Sequence, residues 1–122
     1  MGSFEVKVKL ASLAAPVVTE EVLLFVEPGS TLSWIPREVL ERLGTRALSR
    51  MPFTCADGRM LERDITGVLM TIDGRTGAVP VAFGEPGEEA VLGLTALQTL
   101  GFTVDPEAKK LVPHDLLALM EC

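Results

Sequence analysis

One stretch restricts the possible folds more than any other. Between Val22 and Pro36 the chain reads Val-Leu-Leu-Phe-Val-Glu-Pro-Gly-Ser-Thr-Leu-Ser-Trp-Ile-Pro. The apolar run Val22 to Val26 is too short to cross a bilayer, and its β-branched and aromatic content is that of a strand covered on both faces. Glu27 stands at the strand's end. Pro28 cannot continue a ladder and Gly29 opens backbone geometry closed to other residues, so the carboxylate is followed at once by a tight bend. Apolar character then resumes with Leu32, Trp34 and Ile35.

The flanking sequence punctuates in the same manner. Phe4 to Leu10 alternates apolar and charged residues, as a half-buried strand does, and Ala14-Ala15-Pro16 turns the chain into a second strand, Val17 to Val26. Pro36 to Leu43 reads as a short helix with Val39, Leu40 and Leu43 on one face and Gly44 as its stop. Arg37, Glu38, Glu41 and Arg42 fill the wet face. Asp57-Gly58 marks a hairpin turn within Phe53 to Leu61, and the charged Glu62-Arg63-Asp64 keeps that hairpin soluble. Asp73-Gly74 turns a second strand pair, Thr66 to Ile72 and Gly77 to Phe83, so Asp57 and Asp73 read as turn formers rather than acids with a chemical task. A polar loop, Glu85 to Glu89, precedes Ala90-Val91-Leu92. Thr95 caps a helix that runs to Leu100 and ends at Gly101. Phe102 to Val104 and Lys110 to Val112 flank a last turn, Asp105-Pro106-Glu107. His114 to Cys122 fits either a final helical turn capped by Asp115, with Leu116, Leu119 and Met120 on one side, or a strand that adds to a partner's sheet.

Size and charge narrow the function classes. A chain of 122 residues is one domain, residues 1–122, and 48% hydrophobic residues exclude a disordered segment. With Gly 11 and Pro 8, short strands are favoured over long helices. The net charge of -6 disfavours nucleic acid and anionic membrane as partners, because both are bound by basic patches. The N-terminus lacks a basic region followed by an apolar block, so no signal peptide is expected. Cys55 and Cys122 are too few and too far apart for a zinc site or a disulfide framework, and reduced thiols in a cytoplasmic protein are the expectation. His114 has no second His or Cys nearby, so no metal and no cofactor is expected, and it reads as a surface histidine. Ser30 lacks the flanking glycines and base of a serine hydrolase. Trp34 is expected in the core, with a pocket wall as its alternative.

An apolar strand, an acid, a small residue, Gly, Ser, Thr and an apolar run to Ile-Pro-Arg-Glu together form a pattern. It resembles that of the retropepsin-like (clan AA) aspartic proteases, in their short, single-lobed bacterial and archaeal form. Ala90-Val91-Leu92-Gly93 with Leu94 to Leu97 resembles the family's apolar-apolar-Gly element and its helix, and Leu100 to Pro106 its closing hairpin. The resemblance implies an all-β fold with one or two short helices, a closed β-barrel of a single lobe. It further implies a two-fold homodimer acting on extended peptides, since the chain has no internal repeat and aspartic proteolysis needs two carboxylates. Glu27 then takes the catalytic place, Pro28, Gly29 and Ser30 form the active-site turn, and Ala56, Asp57, Gly58 and Arg59 form the tip of a substrate-binding flap.

Two departures from the family sit side by side. Glu27 stands where the family has Asp, and Pro28 where it has Thr or Ser. The extra methylene moves the carboxylate by roughly a bond length, and a misplacement of about 1 Å costs on the order of a hundredfold in rate. Proline also lacks the amide and hydroxyl with which the family ties its two turns together. Weakened hydrolysis is therefore one expectation. A non-catalytic peptide-binding or assembly module that keeps the fold is the other, and a monomeric β domain with Glu27 as a solvated strand-end residue is a third.

Overall fold

The computed structural model describes residues 4–121. Nine strands and two short helices follow in the order β1 (Glu5–Ser12), β2 (Thr19–Val26), β3 (Ser33–Pro36), α1 (Arg37–Arg42), β4 (Ser49–Thr54), β5 (Met60–Ile72), β6 (Arg75–Gly84), β7 (Val91–Leu92), α2 (Leu94–Leu100), β8 (Phe102–Asp105) and β9 (Lys110–Pro113). The first seven form one sheet in the order β1-β2-β7-β3-β6-β5-β4, and a further pairing of β1 with β5 closes it. Six strands thus make a barrel without edges, the arrangement that leaves no ladder groups for another chain. β4 hangs outside the ring on β5, and β8 and β9 pair separately.

Alternation explains most of the barrel. In β1, Val8 and Leu10 are fully buried between exposed Lys7 and Lys9. Leu24, Ile35, Leu40, Met70, Val81 and Leu92 meet them inside, with no exposure. Burying side chains of this size contributes about 1.5–3 kcal/mol each. α1 closes one end by turning Val39, Leu40 and Leu43 inward. Pro36 sits at its N-cap with φ −51°, the angle its ring imposes, and Gly44 follows the helix at φ +77°.

Several expectations are corrected. The second strand begins at Thr19, because Val18 N–H bonds back to Ala15 O (3.2 Å) and holds Pro16 and Val17 in the turn. Nor is this strand covered on both faces. Leu24 and Val26 are buried, whereas Leu23 is 54% exposed, as a barrel strand with one face inward requires. The hairpin around Asp57-Gly58 and the strand from Thr66 are not separate units: β5 is one strand of 13 residues. α2 is capped by Gly93 rather than Thr95, with no side-chain cap. Gly101 ends it in the left-handed region at φ +77°, as the sequence predicts. Residues 114–121 do not form the expected helical turn. They leave the barrel as irregular chain, fixed at its start by His114 N–H to Gly101 O (2.8 Å) and by Arg75 Nη1 donating to His114 O (2.6 Å). Cys55 is a free thiol, and Cys122 and Met1-Gly2-Ser3 lie outside the described residues.

Candidate active site

The acid of interest is placed by the end of β2. Val26 is buried, and the strand's pairing with β7 extends one residue further through Glu27 N–H to Leu92 O (2.9 Å). With Val26 inward, the Glu27 side chain points out of the barrel and is exposed. The chain then bends. Ser30 N–H bonds to Glu27 O (3.0 Å), Gly29 N–H reaches the Glu27 carboxylate at Oε1 (3.2 Å), and Ser30 Oγ donates to Leu32 O (2.7 Å). Pro28, half-buried, contributes no N–H to this network.

The turn rests on α2. Leu94 N–H donates to Ser30 O (2.7 Å) and Thr95 N–H to Thr31 O (3.0 Å), so the turn's carbonyls satisfy amides that a helix start leaves without partners. Gly93 N–H bonds to Ser33 Oγ (2.9 Å), which explains a serine with no exposure inside the barrel. Gly93 is required by space, since a Cβ there would meet Leu32 O and stand 2.7 Å from Ser30 O.

Above the turn lies a groove of about 860 Å³. Its floor is Glu27, Gly29, Ser30, Thr31, Leu32 and Trp34, and its roof is the run from Met51 to Ala56. The roof belongs to an arm made of β4 and the outer half of β5, which extends beyond the part of β5 that pairs with β6 from Ile65 onward. At the arm's tip Cys55 N–H bonds to Arg59 O (2.7 Å) and Gly58 N–H to Cys55 O (2.9 Å), with Gly58 at φ +88°. That bond fixes the parity of the ladder. Met51 and Phe53 turn their main-chain groups toward β5, while Arg50, Pro52 and Thr54 turn theirs to the open edge. Proline is tolerated there because no ladder bond needs its N–H.

The structure thus brings Glu27, Gly29, Ser30 and Ala56 around one groove, and leaves Pro28, Asp57, Gly58 and Arg59 off its lining. The Asp57 carboxylate is taken up locally, by Arg59 N–H (3.0 Å) and Nε (2.7 Å), in keeping with its reading as a turn former. Sequence reasoning assigned no groove role to Met51, Pro52, Phe53 or Thr54, and gave Trp34 the core first and a pocket wall as its alternative, which is where it lies. In Ser-Trp-Ile-Pro it is the serine, not the tryptophan, that shares the buried side with Ile35. Ser33 and Ile35 face in, so Trp34 faces the groove and meets the Phe53 ring edge-on, with centroids 5.1 Å apart and planes at 62°. The signal was the alternation itself, since Trp34 and the buried Ile35 are neighbours in one strand.

Charge is concentrated where the arm meets the barrel. Arg37 bonds Glu85 (2.7 Å) and Asp64 (3.0 Å), Asp64 also accepts from Arg50 (3.1 Å), and Arg63 grips Glu88. The Arg37 and Arg50 guanidiniums hold the Asp64 carboxyl below the usual carboxylate range, and Arg63 does the same to Glu88 against a smaller opposing effect of burial. Both arginines are raised in turn, Arg37 chiefly by Glu85 and Arg63 by Glu88. Among the described residues, the ionisable groups lining the groove are the Glu27 carboxyl and the Cys55 thiol, set among mainly apolar walls. No cluster of three His, Cys, Asp or Glu side chains suited to a metal occurs among the described residues. Nor is any helix among them long and apolar enough to cross a membrane.

No protein-family model and no curated protein matches the sequence. Solved structures do. The chain is similar to the protease of simian foamy virus (mac), with a TM-score of 0.54 at 15% identity, covering 77% of this chain and 91% of that one. It is also similar to a retropepsin-like aspartic protease from Rickettsia conorii, with a TM-score of 0.58 at 15% identity over 85% of this chain and 77% of that one. Likeness at this identity establishes the fold, an all-β, single-lobed barrel of retropepsin-like form.

Proposed function

We propose that the chain is a retropepsin-like aspartic peptidase homologue that takes an extended peptide into the groove as a two-fold homodimer, each copy supplying Glu27. The observation that carries this reading is the position of Glu27, among the described residues the one carboxylate on the floor of a mainly apolar groove roofed by a hairpin arm. The open edge of β4 suits a ligand that adds as a strand, with main-chain bonds for affinity and alternate side chains entering the groove. Because each chain holds a single copy of the acid turn, the chemistry requires a second chain. Two carboxylates would share a proton, one activating water and the other polarising the scissile carbonyl. Leu94 beside the turn and Leu116, Leu117 and Leu119 in the tail are exposed apolar residues that a partner can cover.

A second reading, a peptide-binding module without turnover, is favoured by one feature of the turn. The Glu27 carboxylate accepts from its own Gly29 amide, and Pro28 offers neither hydroxyl nor N–H to a partner turn. Assay of a diverse peptide library at acidic pH separates the two. The enzyme reading expects pepstatin-sensitive cleavage that Glu27→Gln abolishes. Equal cleavage by both proteins, or none by either, sinks it. Saturable peptide binding by calorimetry without cleavage supports the second reading. A monomer at high concentration in sedimentation equilibrium removes the dimer from both.

A further inference from the structure

We propose that Arg63 and Glu88 are positioning residues, which fix the roof of the groove over its floor through a stack running Glu88, Arg63, Trp34, Phe53. Arg63 stands on β5 opposite Met51 of the roof strand. Its guanidinium makes two bonds to Glu88, Nε to Oε1 at 3.2 Å and Nη2 to Oε2, and its Cζ lies 5.7 Å from the centre of the Trp34 ring. Trp34 in turn meets Phe53 of the roof. The stack therefore ties the arm to the floor and to the loop that carries Glu88.

That loop is ordered around the same carboxylate. Glu88 Oε1 also accepts from Glu85 N–H (2.7 Å), and the loop runs on into β7, whose Val91 pairs with Trp34 and whose Leu92 carbonyl holds the Glu27 amide. With side chains 18% and 24% exposed, Arg63 and Glu88 form a better shielded pair than Arg59 and Asp57 at the arm's tip, at 73% and 56%. Shielding strengthens the pair and makes loss of one partner costly, because the other is left half-desolvated. Without Glu88, Arg63 gains more by turning to water than by covering Trp34. Trp34 then loses the cation that covers it, and its contact with Phe53 is less firmly placed, while the β5 ladder and the Arg37–Asp64 contact remain.

The consequence for ligands rests on reading the groove as a peptide site, but the positioning itself does not. The free protein can be tested directly, since Trp34 is the only tryptophan. Glu88→Gln and Arg63→Met are expected to shift Trp34 emission to the red and to speed exchange of the Met51, Phe53 and Cys55 amides, which face β5, by roughly tenfold, with exchange at Val68 and Val81 unchanged. The double variant Arg63→Glu with Glu88→Arg restores an ion pair without a cation over Trp34, so its emission is expected to stay shifted. Wild-type emission and arm exchange in the single variants overturn the proposal, as does full recovery in the double variant. Glu88→Asp, which shortens the carboxylate but leaves the charge, provides a milder step should the others not fold, and must show a smaller shift in the same direction. Peptide cleavage and binding enter none of these readouts, so a failed peptidase reading and a failed stack give different results.

Discussion

Replacing Gly93 with alanine probes the joint between the acid turn and α2. The backbone there is extended, φ −98° and ψ 179°, so alanine meets no conformational penalty and any cost is one of space. Its Cβ would lie 2.7 Å from Ser30 O, where ordinary contact begins at 3.4 Å, and would press on Leu32 O as well. Both obstacles are backbone, so the turn must retreat by at least about 0.7 Å, the difference between those distances. The bonds from Leu94 N–H to Ser30 O and from Thr95 N–H to Thr31 O stretch with it. Overpacking costs about 1–3 kcal/mol and a weakened backbone bond about 1 kcal/mol, so a loss of roughly 2–4 kcal/mol is expected. For a chain of this size that lowers Tm by roughly 6–15 °C. Gly44→Ala is the control, because its Cβ meets nothing within 4 Å but φ is +77°. It should cost about 1 kcal/mol from strain alone. Urea denaturation of both variants, with exchange rates of the Ser30 and Leu94 amides, decides the matter. If Gly93→Ala costs no more than Gly44→Ala, or leaves those amides unchanged, the steric argument is wrong.

Three further outcomes are expected of the barrel and the arm. Leu24→Ala, at a site with no exposure, should cost about 2–5 kcal/mol in urea, while Leu23→Ala next to it, 54% exposed, stays within about 0.5 kcal/mol; similar losses would contradict a one-sided β2. Ser33→Ala leaves the Gly93 amide without its acceptor inside the barrel and should cost about 1–3 kcal/mol, and a neutral result would mean that another acceptor takes the bond. The folded-state depression of Asp64 and Glu88 adds stability that is present above the ordinary carboxylate range near about pH 4 and is lost as pH falls through their lowered values. Measured against the intrinsic rate at each pH, protection of the arm amides over residues 49–64 should therefore fall between pH 5 and pH 2 ahead of that of Val68 and Val81, and a simultaneous fall throughout the chain would show that the ion pairs do not hold the arm separately.

Much of the barrel was legible because its strands obey a period of two and its turns carry Gly, Asp and Pro. Asp73-Gly74 and Gly101 fell where expected, since only a few residue types accept their backbone angles. Other features depend on partners distant in sequence. Nothing local to Ser33 reports that Gly93 will donate to it, so the burial of that hydroxyl has no visible reason in the sequence, although alternation with Ile35 already puts Trp34 on the other side. Nothing near Glu62-Arg63-Asp64 says that these charges meet Glu88 and Arg37 rather than water. Likewise Thr95 has the chemistry of a cap, but the carbonyls of a turn 64 residues earlier at Thr31 already serve its amide. The position of Glu27 was readable from one strand's end; the walls around it were not, because they come from an arm that folds back from another part of the chain.

The unbroken course of β5 gives the arm its mechanics. A flap joined by loops can swing on a pivot, but here the strand enters the barrel without interruption and is paired to β6 from Ile65 to Ile72. The arm is a cantilever whose root is clamped in a closed wall. Widening the groove would bend a ladder rather than turn a hinge, and the restoring force would grow with the displacement. Residues at the clamp, such as Thr66 against Val81, thereby share in setting how wide the groove opens, although they lie outside it.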